Sequence, residues 1–262
     1  MNDIRIYTLF SGSGGNCHYI KCGDTHLLFD TGKNAKAVTC ALSSIGADIS
    51  DIQSIYITHE HSDHTSALRV LKKKNPHLSL VCHPLCSEAI ERGGIDMTGV
   101  FYIYGGESKS EGCVRVRAFR VPHDSSACLG YRIDFGEGED SRSIGIATDI
   151  GNLTSDIAEG LCGCEFVIIE ANHDPDMLRT GPYPASLKER IFSAGGHLSN
   201  EACARLCSYL YEHGARYFTL AHISKENNTP DLALRTVRES MGEGAHLVCA
   251  SQDSPVCLYE TE

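Results

Sequence analysis

Ser54-Ile55-Tyr56-Ile57-Thr58-His59-Glu60-His61-Ser62-Asp63-His64 is an apolar run that passes directly into four potential metal ligands within six residues. Its first half reads as a buried strand over 52–57. A chain leaving a strand must turn, so His59, His61, Asp63 and His64 can point into one pocket. Neutral imidazole and carboxylate are donors that suit zinc and its first-row neighbours. Three histidines and an aspartate this close have little packing rationale, because such groups are costly to bury without partners. The segment sets the expectation of a metal site at the end of a strand.

Upstream, residues 4–10, 18–20 and 26–29 are short alternating or apolar runs separated by Gly/Ser/Asn or Gly-Asp-Thr turns, the pattern of an antiparallel meander. A helix over about 34–45 precedes the decisive strand. Downstream, helices over 67–74 and 84–91 flank a strand at 78–82, the second helix with proline in its first turn. Strands follow at 100–104, 113–121, 128–135 and 143–147, with 136–140 as a solvated turn. The remainder reads as a strand at 166–170, helices near 184–192 and 200–212, and a strand at 217–221. A helix over 230–241 and strands near 246–249 and 255–259 close the series. Two sheets packed face to face with helices outside suit this two-halved α/β order. No Pro- or Ser-rich linker divides the chain, so one domain over 1–262 is expected.

The 262 residues are 42% hydrophobic and 22% charged, which fits a globular protein and argues against disorder. The opening MNDIRIYTLF mixes acid and base without a long apolar stretch, and no eighteen apolar residues run together. Together these predict a cytoplasmic protein with no signal peptide and no membrane span. Thirteen scattered cysteines without a CxxC pair read as structural thiols in a reducing compartment. The net charge of −11 argues at first against a polyanionic partner. The stretch 121–176 holds 12 acids against 2 bases, whereas 177–240 holds 8 bases against 6 acids. The imbalance is therefore local, and metal cations would offset part of it.

Ser11-Gly12-Ser13-Gly14-Gly15-Asn16 follows a strand and invites a dinucleotide-binding reading. That motif needs a helix after the loop. Here Cys17-His18-Tyr19-Ile20 continues as a strand, which favours a hairpin turn with glycines at positive φ, or a loop lining an active site.

The HxHxDH pattern is shared by the metallo-β-lactamase-fold hydrolases, and the sequence resembles that superfamily along nearly its whole length. The resemblance implies an αβ/βα four-layer sandwich and finds the remaining ligands at strand ends, in order: Asp30, His123, Asp149 and His222. It assigns one divalent ion to His59, His61 and His123 and a second to Asp63, His64 and His222, with Asp149 bridging. Asp30 is read as orienting a ligand histidine. Zinc is the first expectation for both ions, with manganese or iron suited to the same donors.

His61 is intact where redox members with paired irons carry glutamate, which favours hydrolysis. Glu170-Ala171-Asn172-His173-Asp174, Gly181-Pro182-Tyr183-Pro184, Gly196-His197-Leu198-Ser199-Asn200 and His222-Ile223-Ser224-Lys225-Glu226-Asn227-Asn228, with the glycine loop, resemble the YycJ/WalJ (VicX) subfamily. This branch is related to tRNase Z. The resemblance implies a phosphodiesterase, specifically a 5′→3′ exonuclease on double-stranded DNA ends, with a part in DNA repair. It implies Asp63 as proton acceptor from the attacking water and His197, in a His-x-Ser segment, as general acid, with Glu170 holding its ring. Ser13, Asn16 and His173 are read as neighbours of ligands or substrate. Capping of the following helix by Ser199 or Asn200 is the plainer reading of the residues beside His197. Arg69 with Lys72, Lys73 and Lys74, or Arg179 with Lys188 and Arg190, are candidate phosphate-gripping groups. A hydrolase of a small ester, lactone or cyclic phosphodiester is the alternative on the same fold. The sequence leaves the oligomeric state open.

Overall fold

The computed structural model describes residues 3–261, the side chain of Glu139 aside; Met1 and Asn2 of the opening stretch lie outside it. Strands β1 (Ile4–Phe10), β2 (Cys17–Cys22), β3 (Thr25–Phe29), β4 (Ser54–Tyr56), β5 (Ser79–Cys82) and β6 (Phe101–Tyr102) build most of one sheet. Strands β7 (Ser108–Glu111), β8 (Val114–Val121), β9 (Cys128–Phe135), β10 (Arg142–Ala147), β11 (Phe166–Glu170), β12 (Tyr217–Ala221) and β13 (His246–Cys249) build the other. Strand β14 (Val256–Glu260) then returns to the first sheet and pairs antiparallel with β1. In each sheet three antiparallel pairings give way to three parallel ones, beginning at β3–β4 and at β10–β11.

The helices are α1 (Ala35–Ser44), α2 (Ser62–Thr65), α3 (Leu68–Lys74), α4 (Pro84–Arg92), α5 (Ser155–Leu161), α6 (Pro175–Thr180), α7 (Ala185–Phe192), α8 (Asn200–Glu212) and α9 (Pro230–Met241). Asn34 caps α1, its Oδ1 accepting from Ala37 N, and Thr229 caps α9 ahead of Pro230.

Neighbouring residues on the parallel strands divide between two cores, as the period-2 geometry of a strand requires. Leu27, Phe29, Tyr56, Ile146, Phe166 and Ile168 face the layer between the sheets, with Tyr131 and Ile133. Leu28 and Ile55 pack outward with Val38, Leu42, Leu68 and Leu71, under α1 and α3. Val167 and Ile169 pack outward in the same way with Ile157, Leu206 and Leu210, under α5 and α8. The result is helix, sheet, sheet, helix: the expected αβ/βα sandwich. Strands buried on both faces read as continuous apolar runs, as β11 (FVIIE) does.

The expected strand over 113–121 begins at Val114, and a further strand, β7, precedes it across a turn at Gly112, whose φ is 53°. Helices α2, α5 and α6, of four, seven and six residues, were not anticipated. The glycine loop joins antiparallel β1 and β2, with Gly12 at φ 126° and Gly15 at φ 139°. It is the expected hairpin turn.

Candidate metal centre

Parallel strands deliver their carboxyl ends to one edge of each sheet, and the loops leaving β3, β4, β10, β11 and β12 meet there. Among the described residues, three non-glycine positions have positive φ: Asp30 (62°), Asp149 (59°) and His222 (55°). Each lies at or just past the end of a parallel strand. Left-handed backbone is unfavourable for residues with a Cβ, although Asp and His tolerate it better than most. Such strain concentrated at one place marks a site built for chemistry.

Candidate donor atoms gather in overlapping groups, each within 4.8 Å: His59, His61 and His123; Asp63, His64 and His222; and His59, His64 and Asp149. The ring centroids of His59 and His61 are 4.6 Å apart and those of His59 and His123 4.9 Å. The fully buried Asp149 carboxylate lies 3.3 Å from His64 Nε2, 3.9 Å from His123 Nε2 and 3.6 Å from His222 Nδ1. Asp63 Oδ2 lies 3.5 Å from His64 Nε2 and 3.7 Å from His222 Nε2. All seven expected ligands therefore converge on one cluster.

The surrounding hydrogen bonds decide which nitrogen each imidazole presents. Asp30 accepts from Thr58 N and from the Thr58 hydroxyl, both at 2.9 Å, and its Oδ2 lies 2.8 Å from His64 Nδ1. The Thr58 hydroxyl, having given its proton to Asp30, can only accept from His59 Nδ1 at 3.0 Å. Gly196 O accepts from His123 Nδ1 at 3.2 Å. Glu170 Oε1 accepts from His222 Nδ1 at 2.9 Å and from His197 Nδ1 at 2.8 Å. In His59, His64, His123 and His222 the Nδ1 proton thus points outward, which turns Nε2 towards the cluster. This is the tautomer that metal ligands adopt when an outer partner fixes the ring.

The donor set passes a stricter test of fit. His59 Nε2, His222 Nε2 and Asp149 Oδ2 are buried without a hydrogen-bond partner among the described residues. Orphaned buried polar atoms are rare because each costs about 1–3 kcal/mol. Here they belong to one cluster, where a cation would satisfy them together.

The electrostatics agree. Burial alone would raise Asp149, yet the His222, His64 and His59 imidazoles hold it well below the usual carboxylate range. Burial would lower His222, but Asp149, Asp63 and Glu170 lift it to about 10. Glu170, raised by burial but drawn down by His197 and His222, is held at about 2. Asp149, Asp63 and Glu170 are thus held ionised around the imidazoles, which favours cation binding.

The other expected residues fall as follows. Asn16 is fully buried, with Nδ2 3.0 Å from His64 Nε2, so the glycine loop lines the centre. Ser13 is exposed on that loop. His173 is buried beside Ser199, with its backbone oxygen accepting from Asn200 N, and burial holds it down at about 4. Ser199 does cap α8, accepting from Ala202 N, while His197 reaches back to Glu170. The cap and the bond by which Glu170 holds the His197 ring are thus both present. Arg190, anticipated as a phosphate contact, donates from Nη2 to Asp124 at 3.0 Å. Lys72 donates to Leu78 O at 2.9 Å, which engages one of its three N–H donors.

Several supports escaped sequence reasoning. Thr58 links Asp30, His59 and His64. Ser11 Oγ accepts from His222 N at 2.7 Å, and Asn172 Nδ2 donates to His222 O at 2.9 Å. Gly32 lets three loops cross, because a Cβ there would lie 1.5 Å from Asp63 O and 2.6 Å from Asn16 N. Only the short polar side chains flanking strand ends hinted at these roles.

The family model for the β-lactamase superfamily domain matches residues 25–223. The chain belongs to the metallo-β-lactamase-fold hydrolases, in their YycJ/WalJ branch. Exodeoxyribonuclease WalJ of Streptococcus pneumoniae is 34% identical over 244 residues, 92% of this chain and 89% of that protein. Exodeoxyribonuclease YycJ of Bacillus anthracis is 32% identical over 242 residues, 92% of this chain and 90% of the other. Among solved structures, the metallo-β-lactamase fold protein YhfI from Bacillus subtilis superposes with a TM-score of 0.73 over all of both chains at 14% identity. Human tRNase Z, short form, gives 0.65 at 16% identity, covering 98% of this chain and 99% of that one. At such identities these structures attest the fold alone. No helix among the described residues is long and apolar enough to cross a membrane.

Proposed function

We propose that this chain is a metal-dependent phosphodiesterase that removes nucleotides from the 5′ ends of double-stranded DNA, with DNA repair as its setting. The DNA substrate follows from the exodeoxyribonuclease relatives; the chemistry follows from the site. His59, His61 and His123 would hold one divalent ion and Asp63, His64 and His222 a second, with Asp149 between them. Divalent cations, zinc foremost and manganese or iron as alternatives, supply Lewis acidity toward water and phosphoryl oxygens when bound.

The rest is work for the protein's own groups. Asp63 is partly exposed, and burial, which alone would raise its carboxyl, is outweighed by the His222 and His64 imidazoles, which hold it ionised. It orients the attacking water by accepting its hydrogen bond. His197 belongs to neither proposed ligand trio, and its side chain is 17% exposed. With Nδ1 tied to Glu170, its Nε2 is free to give a proton to the leaving sugar oxygen. The observation that carries this reading is the Glu170 carboxylate, which anchors His222 of the cluster and His197 beside it through one oxygen. A site for binding metal alone would need only the first of those bonds.

The test is a blunt-ended duplex carrying a 5′ label, incubated with purified protein and Mn²⁺ or Zn²⁺. Label should be released by wild type and not by Asp63→Ala. No release from DNA alongside rapid turnover of a small phosphodiester or ester would transfer the site to that substrate class.

A further inference from the structure

A cavity of about 380 Å³ has His197 in its wall. Its size is that of a small-molecule pocket and excludes a duplex. The loop after Asp149, the segment after β11 and the first turn of α8 enclose it, so it borders the cluster without sharing a proposed metal ligand.

Three features of the wall point to a nucleotide. His173 is 2% exposed, lines the cavity, and keeps Nδ1 buried with no hydrogen-bond partner among the described residues. Arg179 and Arg205 also line it, against Glu201, and Arg179 divides its charge with Asp176 at 2.7 Å. Ser199 and Ala202 bring in the start of the thirteen-residue α8, whose N-terminal end favours anions. Phe192, ending α7, is 46% exposed. The His173 ring meets it edge-on, with centroids 5.4 Å apart and planes at 90°, and the Arg179 guanidinium lies 5.9 Å from its centroid. A fixed, exposed aromatic ring next to cationic groups is the arrangement on which unpaired bases stack.

We infer that this cavity seats the departing nucleotide, with its 5′-phosphate held by Arg205, Arg179 and His173 and its base against Phe192. The inference rests on the nuclease reading above. In that reaction the water oxygen bonds to phosphorus and the P–O3′ bond breaks. His197 delivers its proton to O3′, the proton of the water passes to Asp63, and both groups regain their starting states by exchange with solvent. The fragment released therefore lies on the His197 side, and for cleavage from a 5′ end it is one nucleotide. A pocket for one nucleotide sets the step length and selects ends that carry phosphate.

The probes are deoxyadenosine 5′-monophosphate and deoxyadenosine, titrated calorimetrically into the full chain, together with blunt duplexes bearing a 5′-phosphate or a 5′-hydroxyl. Wild type should bind the monophosphate at least about tenfold more tightly than the nucleoside and degrade the phosphorylated duplex faster. Arg205→Ala, an exposed substitution on α8, should lose about tenfold for the monophosphate and the preference between ends. Phe192→Ala should weaken both ligands. Cleavage indifferent to the end, with unchanged binding by both variants, overturns the pocket and leaves the nuclease reading intact. Binding as expected without any DNA cleavage overturns the nuclease reading and, with it, the pocket's role in product departure.

Discussion

Replacing Glu170 by glutamine preserves the size of the side chain and removes its charge. The wild-type carboxylate accepts four hydrogen bonds: from His197 Nδ1 at 2.8 Å, His222 Nδ1 at 2.9 Å, Ile150 N at 2.6 Å and Leu198 N at 3.1 Å. An amide oxygen can serve one pair of these donors, but the amide nitrogen is itself a donor and faces the other pair. Either the two imidazoles lose their anchor or two buried backbone N–H groups lose theirs. Two unmade buried bonds at about 1–3 kcal/mol each imply a loss of about 2–6 kcal/mol. That is a large part of the roughly 5–15 kcal/mol by which domains are stable. Urea unfolding of chelator-treated protein measures this loss without any contribution from bound metal. Metal affinity, read from metal content after dialysis, should fall about 10–100-fold as His222 is released. An unchanged urea midpoint together with full metal content would refute the claim that this carboxylate organises the site.

Four further outcomes follow from the same geometry. His197→Ala should bind metal normally while losing about 10²–10⁴ in turnover, with a smaller loss on a nitrophenyl phosphodiester whose leaving group needs no proton; an equal loss on both substrates rules out proton donation. Asp30→Ala frees His64 and the Thr58 hydroxyl and should cost about 10–100-fold in metal affinity, so unaltered metal retention would remove Asp30 from that role. Gly32→Ala drives a Cβ into Asp63 O and should yield protein that is poorly folded or unable to retain metal, judged by thermal melting and metal analysis; wild-type behaviour in both would contradict the loop crossing. His18 is fully buried, and burial holds its imidazole at about 3 against an ordinary 6.5. The unfolded chain therefore binds the extra proton first as pH falls, and stability drops between pH 6.5 and 3 at up to about 1.4 kcal/mol per unit. His18→Gln should flatten that acid limb in chelator-treated protein, and an unchanged slope would show that His18 does not titrate as described.

Much of the centre could be read from the chain because its ligands stand where apolar strands stop, and such strands are conspicuous. His59 to His64 announce themselves by density. Asp30, Asp149 and His222 are ordinary as single residues, and only their order beside the dense segment gives them meaning. What could not be read depends on distances between remote residues. Nothing local to Thr58 says that its hydroxyl would tie Asp30 to two histidines. Nothing near Arg190 says that Asp124, 66 residues away, would engage it. Strand β7 (SKSE) is polar and lies at the edge of its sheet, so it lacks the alternation that betrays a strand packed on a core. Helices α2 and α6, of four and six residues, are too short for a 3.6-residue period to emerge.

The return of β14 to the edge of β1 joins residues separated by some 250 positions. A nascent polypeptide that has cleared the ribosome as far as His64 already shows its densest ligand segment. It has neither the partners that complete the cluster nor the strand that finishes the first sheet. The cluster therefore cannot be complete before β12 and the His222 that follows it have emerged. The first sheet closes only later still, when β14 docks beside β1.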